Sequence, residues 1–343
     1  MRAIEIHEPY GCDALRLVEH TEPGPPGAGQ VLIRVRAVAL NYRDLLVTKG
    51  FDRWRPPSGR VPASDAVGIV AAVGPGVRRV EIGRRVVLTF LPHWIDGPLT
   101  ASKLAGALGG ATTDGVLREQ LLVDAESVVL VPDYLSDVEA ATLPCAAVTA
   151  WHAVSRAGTL HRERTLLVQG TGGVSLFALQ FAKAAGAAVI ATSKSDEKLQ
   201  LATKLGATHG INYLRHPDWD HAVLDLTDGI GVDHVVDIGG ADTINRSIRA
   251  VRHEGIVSII GLVGGLNAQI DIGPIFLKNI RIDGVETGSR AMLESMMAFM
   301  GQHRIRPVID KVFALEDAPA AFRHLDAGVH VGKVCISFEN GRH

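Results

Sequence analysis

Apolar and polar residues follow two rhythms along this chain. Up to about residue 130 the apolar runs are short and often alternate with charged positions. The run 31–38, VLIRVRAV, is the clearest case, and alternation with a period of two is the pattern of a half-buried antiparallel strand. Residues 67–73 predict a second strand, turned at Gly74-Pro75-Gly76, and 83–88 start a third. Turn-forming clusters recur at 23–27, 56–59 and 109–110. The region reads as a β-rich domain of short strands, with one short helix over 41–49.

From Ser136 the rhythm becomes helical. Ser136 is a candidate N-cap with Glu139 three residues on, a capping box, and Pro144 is expected to kink or split the helix. Beyond it, apolar runs at 166–168, 187–191, 210–213, 232–238, 256–260 and 280–285 alternate with helical patterns near 195–205, 219–227 and 241–251. Strand and helix in alternation predict an α/β class with a doubly wound parallel sheet. Residues 292–303 read as a last helix, and 334–338 as a strand returning to the first domain.

The centre of this pattern is 165–186, TLLVQGTGGVSLFALQFAKAAG. A short apolar strand runs into Gly170, Thr171, Gly172, Gly173 and Val174, and a helix follows that closes at Gly186. A glycine turn feeding a helix N-terminus is an anion site. Its first N–H groups lack intrahelical partners, and glycine lets a pyrophosphate approach the backbone. Ser175 stands where the usual G-x-G-x-x-G ends in glycine, which weakens the match. The second strand and helix that follow at once supply the βαβ context the motif requires.

Composition narrows the class. The chain has 343 residues, 47% hydrophobic and 21% charged, with a net charge of −2. That balance fits a globular enzyme acting on a small-molecule substrate and argues against nucleic-acid or membrane partners. Three cysteines, Cys12, Cys145 and Cys335, offer neither a disulfide framework nor a zinc knuckle. With no apolar leader, the expected location is cytoplasmic.

The runs LNYRDLLVTKG (40–50), PASDAVGIVAAVGPGV (62–77), GVLREQLLV (115–123), ATLPCAAVTAW (141–151), the glycine segment and HVGKVCISF (330–338) together resemble the medium-chain dehydrogenase/reductase superfamily over essentially the whole length. The resemblance implies a GroES-like catalytic domain over 1–146 and 287–343 and a Rossmann domain over 147–286. It also implies an active site in the cleft between them and hydride transfer with NAD(P). Arg84 departs from the family's usual Asp.

The resemblance also bears on metal. Zinc-dependent members carry Cys, a His-Glu pair, and a later Cys or Asp. Here those positions hold Asn41, Ser64-Asp65 and Cys145. Asn and Ser are poor ligands for Zn²⁺ beside thiolate and imidazole, and the cysteines of the family's structural-zinc lobe are missing around 92–115. No metal is expected, and Cys145 reads as a small hydrophobe. Without a Lewis acid, plain alcohol oxidation is disfavoured. Hydride landing on a carbon conjugated to a carbonyl suits hydrogen-bond donors instead. Asn41 and Tyr42 are the catalytic candidates. Tyr42 has two readings, donor to the substrate oxygen or packing against the cofactor.

The ribose-reading residue is expected at the end of the second Rossmann strand. Ser193 and Lys194 there admit and pair with a 2′-phosphate, so NADPH is favoured over NADH. Tyr213 is expected to complete the pocket, and Lys198 reads equally as phosphate contact or solvated helix face. In the counter-reading Asp196 or Glu197 takes an acid role, against their use as first-turn helix acids. Gly239, Leu262, Val263, Thr287 and Thr149 are expected along the cofactor, and Lys333 matches the family's basic residue on the pyrophosphate. Phe90 and Trp94 are expected to stack on a flat acceptor. His93 reads as a proton donor or as surface. Residues 98–115 are expected to form a mobile lid or a dimer contact, and segments 256–260 and 270–272 to contribute to a homodimer.

These readings converge on an NADPH-dependent, zinc-free reductase of an activated C=C or quinone. An NAD(P)-dependent alcohol dehydrogenase or carbonyl reductase of the same superfamily is the alternative. An NAD(P)H-binding sensor or structural protein with little turnover is the alternative of another class.

Overall fold

The computed structural model describes residues 1–338. Its contacts divide it into two compact units: Thr149–Thr287, and Met1–Val148 together with the chain from Gly288 onward.

In the first unit, β1 (Arg2–Ile6) pairs antiparallel with β2 (Leu15–Glu19). The alternating run forms β3 (Gln30–Ala39); Val31, Ile33 and Val35 point into the core while Arg34 is exposed. Next come α1 (Tyr42–Thr48), β4 (Asp65–Val73), β5 (Arg85–Leu88), α2 (Ala101–Leu104), β6 (Gln120–Asp124) and β7 (Val128–Leu130). β4 lies antiparallel along β3, β5 along β4, and β6 against the first half of β3. α3 (Asp137–Ala141) opens on the expected Ser136–Glu139 capping box. Pro144 does split the helix: a π-type turn, Leu143–Ala147, separates α3 from α4 (Val148–Arg156), because proline cannot supply an interior N–H.

The second unit is one sheet with helices between its strands. β8 (Thr165–Gln169), α5 (Gly173–Ala184), β9 (Ala188–Ser193), α6 (Asp196–Leu205), β10 (His209–Asn212), α7 (Trp219–Asp225), β11 (Val232–Asp237), α8 (Ile244–Ala250), β12 (Val251–Ile259), α9 (Ile272–Lys278) and β13 (Arg281–Gly284) follow in order. All pairings are parallel, in the order β10-β9-β8-β11-β12-β13. Strand order therefore reverses between β8 and β11, and ligands of such sheets bind beyond the strand ends at that point. Residues 256–259 lie in β12, flanked by β11 and β13, and so present no free strand edge; residues 270–271 form no strand, and Ile272 opens α9.

The chain then returns to the first unit through α10 (Arg290–His303), β14 (Ile309–Ala314), α11 (Ala318–Asp326) and β15 (Lys333–Ser337). β15 pairs parallel with β14 and antiparallel with the second half of β3, Cys335 lying opposite Ala39. The second half of the 98–115 segment is tied to the rest of the first unit. Leu108 is buried, its carbonyl accepts from the Arg43 guanidinium, and Gly115 donates to the Val61 carbonyl at 2.7 Å. Hydrogen bonds thus hold the second half of the segment expected to form a mobile lid or a dimer contact. Among the described residues no helix is long and apolar enough to cross a membrane.

Candidate active site

In the second unit the ends of β8 and β11 are knitted together where the strand order reverses. Gln169, the last residue of β8, accepts the N–H groups of Ile238 and Gly239 on its side-chain oxygen, both at 3.3 Å. Its amide nitrogen donates to Ser247 Oγ at 2.8 Å. Ser247 in turn donates to the buried Asp237 carboxylate at 2.6 Å, which also accepts from Thr243 Oγ1 and the Gly240 N–H. Gly170 turns the chain at φ +71, and its N–H reaches the Thr192 carbonyl on β9. Ser175 is no defect in this turn. Fully buried, it donates to the Gln169 carbonyl at 2.6 Å and so ties the first turn of α5 back to the strand it follows. Gly172 is the N-cap of α5, with no side-chain cap, and a Cβ built on it would meet nothing within 4 Å. The helix's first N–H groups, without intrahelical partners, thus lie beside a backbone surface that a diphosphate can approach.

Ser193 and Lys194 end β9. Ser193 is buried and its hydroxyl accepts the Ser195 N–H at 3.3 Å, while Lys194 is exposed. Tyr213 is half-buried, its N–H on the Ser193 carbonyl at 3.0 Å, so strand ends two and three are joined there. Asp196 is bonded to Asn212 Nδ2 at 2.8 Å and paired with Arg215. Thr149 and Thr287 are buried, and Thr287 Oγ1 lacks a partner among the described residues. His152, which the sequence pattern does not single out, donates from Nδ1 to the Thr287 carbonyl at 2.5 Å, and burial holds its pKa below the usual value. Gly239 and Leu262 are partly exposed and Val263 is exposed, all beyond the strand ends.

In the first unit the positions around Asn41 form a continuous hydrogen-bonded chain. Lys333 Nζ donates to Asn41 Oδ1 and to the Leu40 carbonyl, both at 2.5 Å. Asn41 Nδ2 lies 3.4 Å from Ser64 Oγ, Ser64 donates to Asp65 Oδ1 at 2.8 Å, and the Cys145 N–H donates to Asp65 Oδ2 at 3.1 Å. Burial raises the Asp65 pKa, opposed first by the Lys333 charge and then by the Asn41 and Ser64 hydrogen bonds. Asp44, also fully buried, accepts the Asn41 N–H at 2.8 Å, and burial pushes its carboxyl up to about 6 against the nearby Arg43. Tyr42, the first residue of α1, is 42% exposed.

Models of two families cover these units. "Alcohol dehydrogenase GroES-like domain" matches residues 27–133 and "Zinc-binding dehydrogenase" matches 173–302. A zinc-type alcohol dehydrogenase-like protein of Schizosaccharomyces pombe is 41% identical over 99% of both chains. The chain belongs to the medium-chain dehydrogenase/reductase superfamily. A quinone oxidoreductase-like protein 2 of Bos taurus is 30% identical over 94% of this chain and 89% of its own. A crystal structure of an NAD-dependent alcohol dehydrogenase is 32% identical, covers 99% of this chain and 100% of its own, and superposes with a TM-score of 0.88. This member of the superfamily is therefore a nicotinamide-dependent oxidoreductase. Its second unit fits the dinucleotide through the open backbone at Gly172 and the helix start beside it.

Three site expectations are corrected. Lys333 does not present its amine to a pyrophosphate: the residue is 4% exposed and its ammonium is held by Leu40 and Asn41. Phe90 and Trp94 are not open stacking surfaces. At 4% and 2% exposure they form a small core with Leu91, packed against Ala107, Cys145 and Met292. The Arg43 guanidinium lies 4.6 Å from the Phe90 ring centroid, and Trp94 Nε1 donates to the Gly97 carbonyl at 2.7 Å. His93 is exposed, with Gly106 close to its ring.

The superfamily implies a catalytic zinc at 41, 64–65 and 145, and the donors there do not fit one. The Asn41 oxygen faces an ammonium, Ser64 gives its proton to Asp65, and only Cys145 is a soft ligand. Among the described residues no three His, Cys, Asp or Glu side chains form a metal-holding group.

Proposed function

We propose that this protein is an NADPH-dependent, zinc-free reductase of an activated C=C or quinone. The carrying observation is the Asn41 oxygen bonded at 2.5 Å to the Lys333 ammonium, at a position where zinc-dependent relatives place a metal ligand. An alcohol is activated by a Lewis acid that lowers its pKa, and this site holds a cation that cannot coordinate. An enone or quinone needs no such activation. Bound nicotinamide supplies the hydride. An acceptor receiving it at a conjugated carbon carries the electron pair to its oxygen, where a donor stabilises the charge and delivers a proton. Tyr42, exposed at the start of α1, is that donor, and Asn41 fixes the turn it stands on. NADPH preference is supported by Ser193 and the exposed Lys194 at the end of β9, where no carboxylate stands to repel a 2′-phosphate.

An NAD(P)-dependent alcohol dehydrogenase is the second reading, favoured by the names of the fission-yeast relative and the NAD-dependent neighbour. The test is a parallel tryptophan-fluorescence titration with NADPH and NADH on protein whose zinc content is measured. NADPH oxidation by a panel of quinones and enones follows, beside NAD(P)⁺ reduction by alcohols. Tighter NADPH binding, no zinc and turnover of enones or quinones are expected. Stoichiometric zinc with alcohol turnover overturns the proposal in favour of the second reading.

The same reading includes a homodimer. β13 is an open edge of the six-stranded sheet, and the helix leading into it, α9, leaves Ile272, Phe276 and Leu277 exposed, Phe276 at 80%. An open strand edge beside such an apolar face is covered most simply by a second copy. F276D is expected to yield monomers in sedimentation equilibrium; a wild-type monomer at micromolar concentration overturns the dimer.

A further inference from the structure

We infer that Lys333 is a positioning residue: its buried ammonium fixes the Asn41 side chain and, through the turn before α1, the placement of Tyr42. What Tyr42 then does rests on the reductase reading; where Lys333 sits does not.

The argument begins with desolvation. An ammonium this deeply buried is tolerated only when its donors are satisfied. Lys333 has found two acceptors, the Leu40 carbonyl and Asn41 Oδ1, each at 2.5 Å. They belong to the two residues that precede α1. The next residue of β15 joins in: the Val334 carbonyl accepts the Leu40 N–H at 2.9 Å. Residues 40 and 41 are thus stitched to β15 three times within two positions.

The second step concerns the amide. With its oxygen on an ammonium and its nitrogen facing Ser64 Oγ, Asn41 has one workable orientation, since a flip would set NH₂ against NH₃⁺. Its own N–H is taken by Asp44 Oδ2 at 2.8 Å. Every polar group that could let this residue turn is therefore engaged, and Tyr42 follows it directly as the first residue of α1. The chain runs from the Lys333 ammonium through Asn41 and Ser64 to the Asp65 carboxyl.

Two measurements test this on the full-length protein. The first is amine acetylation by acetic anhydride, followed by peptide mass spectrometry with and without NADPH. Lys333 is expected to react at least ten-fold more slowly than the exposed Lys204 both with and without NADPH. Fast reaction that NADPH suppresses would make Lys333 a phosphate contact and overturn the inference. The second uses protein labelled with 3-fluorotyrosine at its four tyrosines. In K333M the Tyr42 resonance is expected to move or broaden while those of Tyr10, Tyr134 and Tyr213 stay. With an active enzyme, kcat at saturating NADPH falls at least ten-fold with the NADPH Kd within two-fold. An unmoved Tyr42 resonance, or a weakened NADPH Kd with kcat intact, overturns it. Should K333M fail to fold, S64A, which removes the other partner of the Asn41 amide, is read in the same way. Absence of turnover with every acceptor would defeat the reductase reading and leave the acetylation and fluorine results to decide on Lys333.

Discussion

The Ser175 hydroxyl bonds the Gln169 carbonyl at 2.6 Å across the glycine turn. It closes the strand-to-helix junction from inside, where neither group meets water. Removing it leaves a buried carbonyl short of a donor, so S175A is expected to lower stability by about 1–2 kcal/mol. S175G, which restores the more usual glycine, is expected to cost at least as much. A drop in the urea midpoint for both variants checks this, and an unchanged S175G midpoint would show the bond to be dispensable.

Two glycines separate structural from ligand-binding need. A Cβ on Gly115 would lie 2.1 Å from the Ala63 carbonyl oxygen and 2.2 Å from that of Pro62. These are backbone atoms that cannot step aside, and G115A is expected to destabilise by about 3 kcal/mol. A Cβ on Gly172 meets nothing, and φ there is −76. G172A is expected to fold with nearly wild-type stability and to bind dinucleotide at least ten-fold more weakly, by fluorescence titration. Wild-type affinity in G172A would move the pyrophosphate away from this turn.

Lys194 lies exposed at the end of β9. If its charge pairs with a 2′-phosphate, K194A weakens NADPH binding by roughly ten-fold and leaves NADH unchanged, with a shallower salt dependence for NADPH. Equal losses for both cofactors would place the residue elsewhere on the nucleotide.

His234 is buried within the six-stranded sheet, between Thr159 Oγ1 at 2.7 Å and Ser258 Oγ at 2.8 Å. Burial pushes its pKa down to about 3 from 6.5. The unfolded chain therefore binds the extra proton between those values while the native chain does not. The contribution is whole above pH 6.5 and is lost as pH falls through that window. Asp44 acts with the opposite sign between 3.8 and about 6, so the informative quantity is a difference. In H234Q the fall of Tm between pH 6.5 and 4 is expected to be shallower than in the wild type. Parallel slopes would refute the assignment.

How much of this was readable in the chain depends on the range of the interactions. β3 and the six strands of the second unit lie close to where their apolar runs put them, because a buried strand must be apolar and the glycine turns punctuate it. The split at Pro144 follows from proline's missing N–H. α9 was hidden because Ile272, Phe276 and Leu277 stay exposed and mimic a strand's apolar run, and β14 because its residues are mostly exposed. Lys333 misled for a different reason: local pattern says where a strand is, not which acceptor meets its first side chain. Asn41 lies 292 residues away, and no periodicity reports such a pair. Phe90 and Trp94 sit in a loop segment that reads as accessible until Met292 and Ala107 are seen to pack against them.

The sheet of the first unit has a further consequence, for synthesis on the ribosome. β15 covers the edge of β3 at residues 37–39 and brings the cation that holds Asn41. A nascent chain that has emerged only as far as residue 287 has every strand of the second unit, yet β3 still lacks its β15 partner at residues 37–39 and the Asn41 side-chain oxygen lacks its ammonium. The hydrogen-bonded surroundings of Asn41, just before Tyr42, are thus complete only once residue 337 has been made, after every strand of the second unit. Until then, half of one β3 edge presents unpaired backbone groups to other chains.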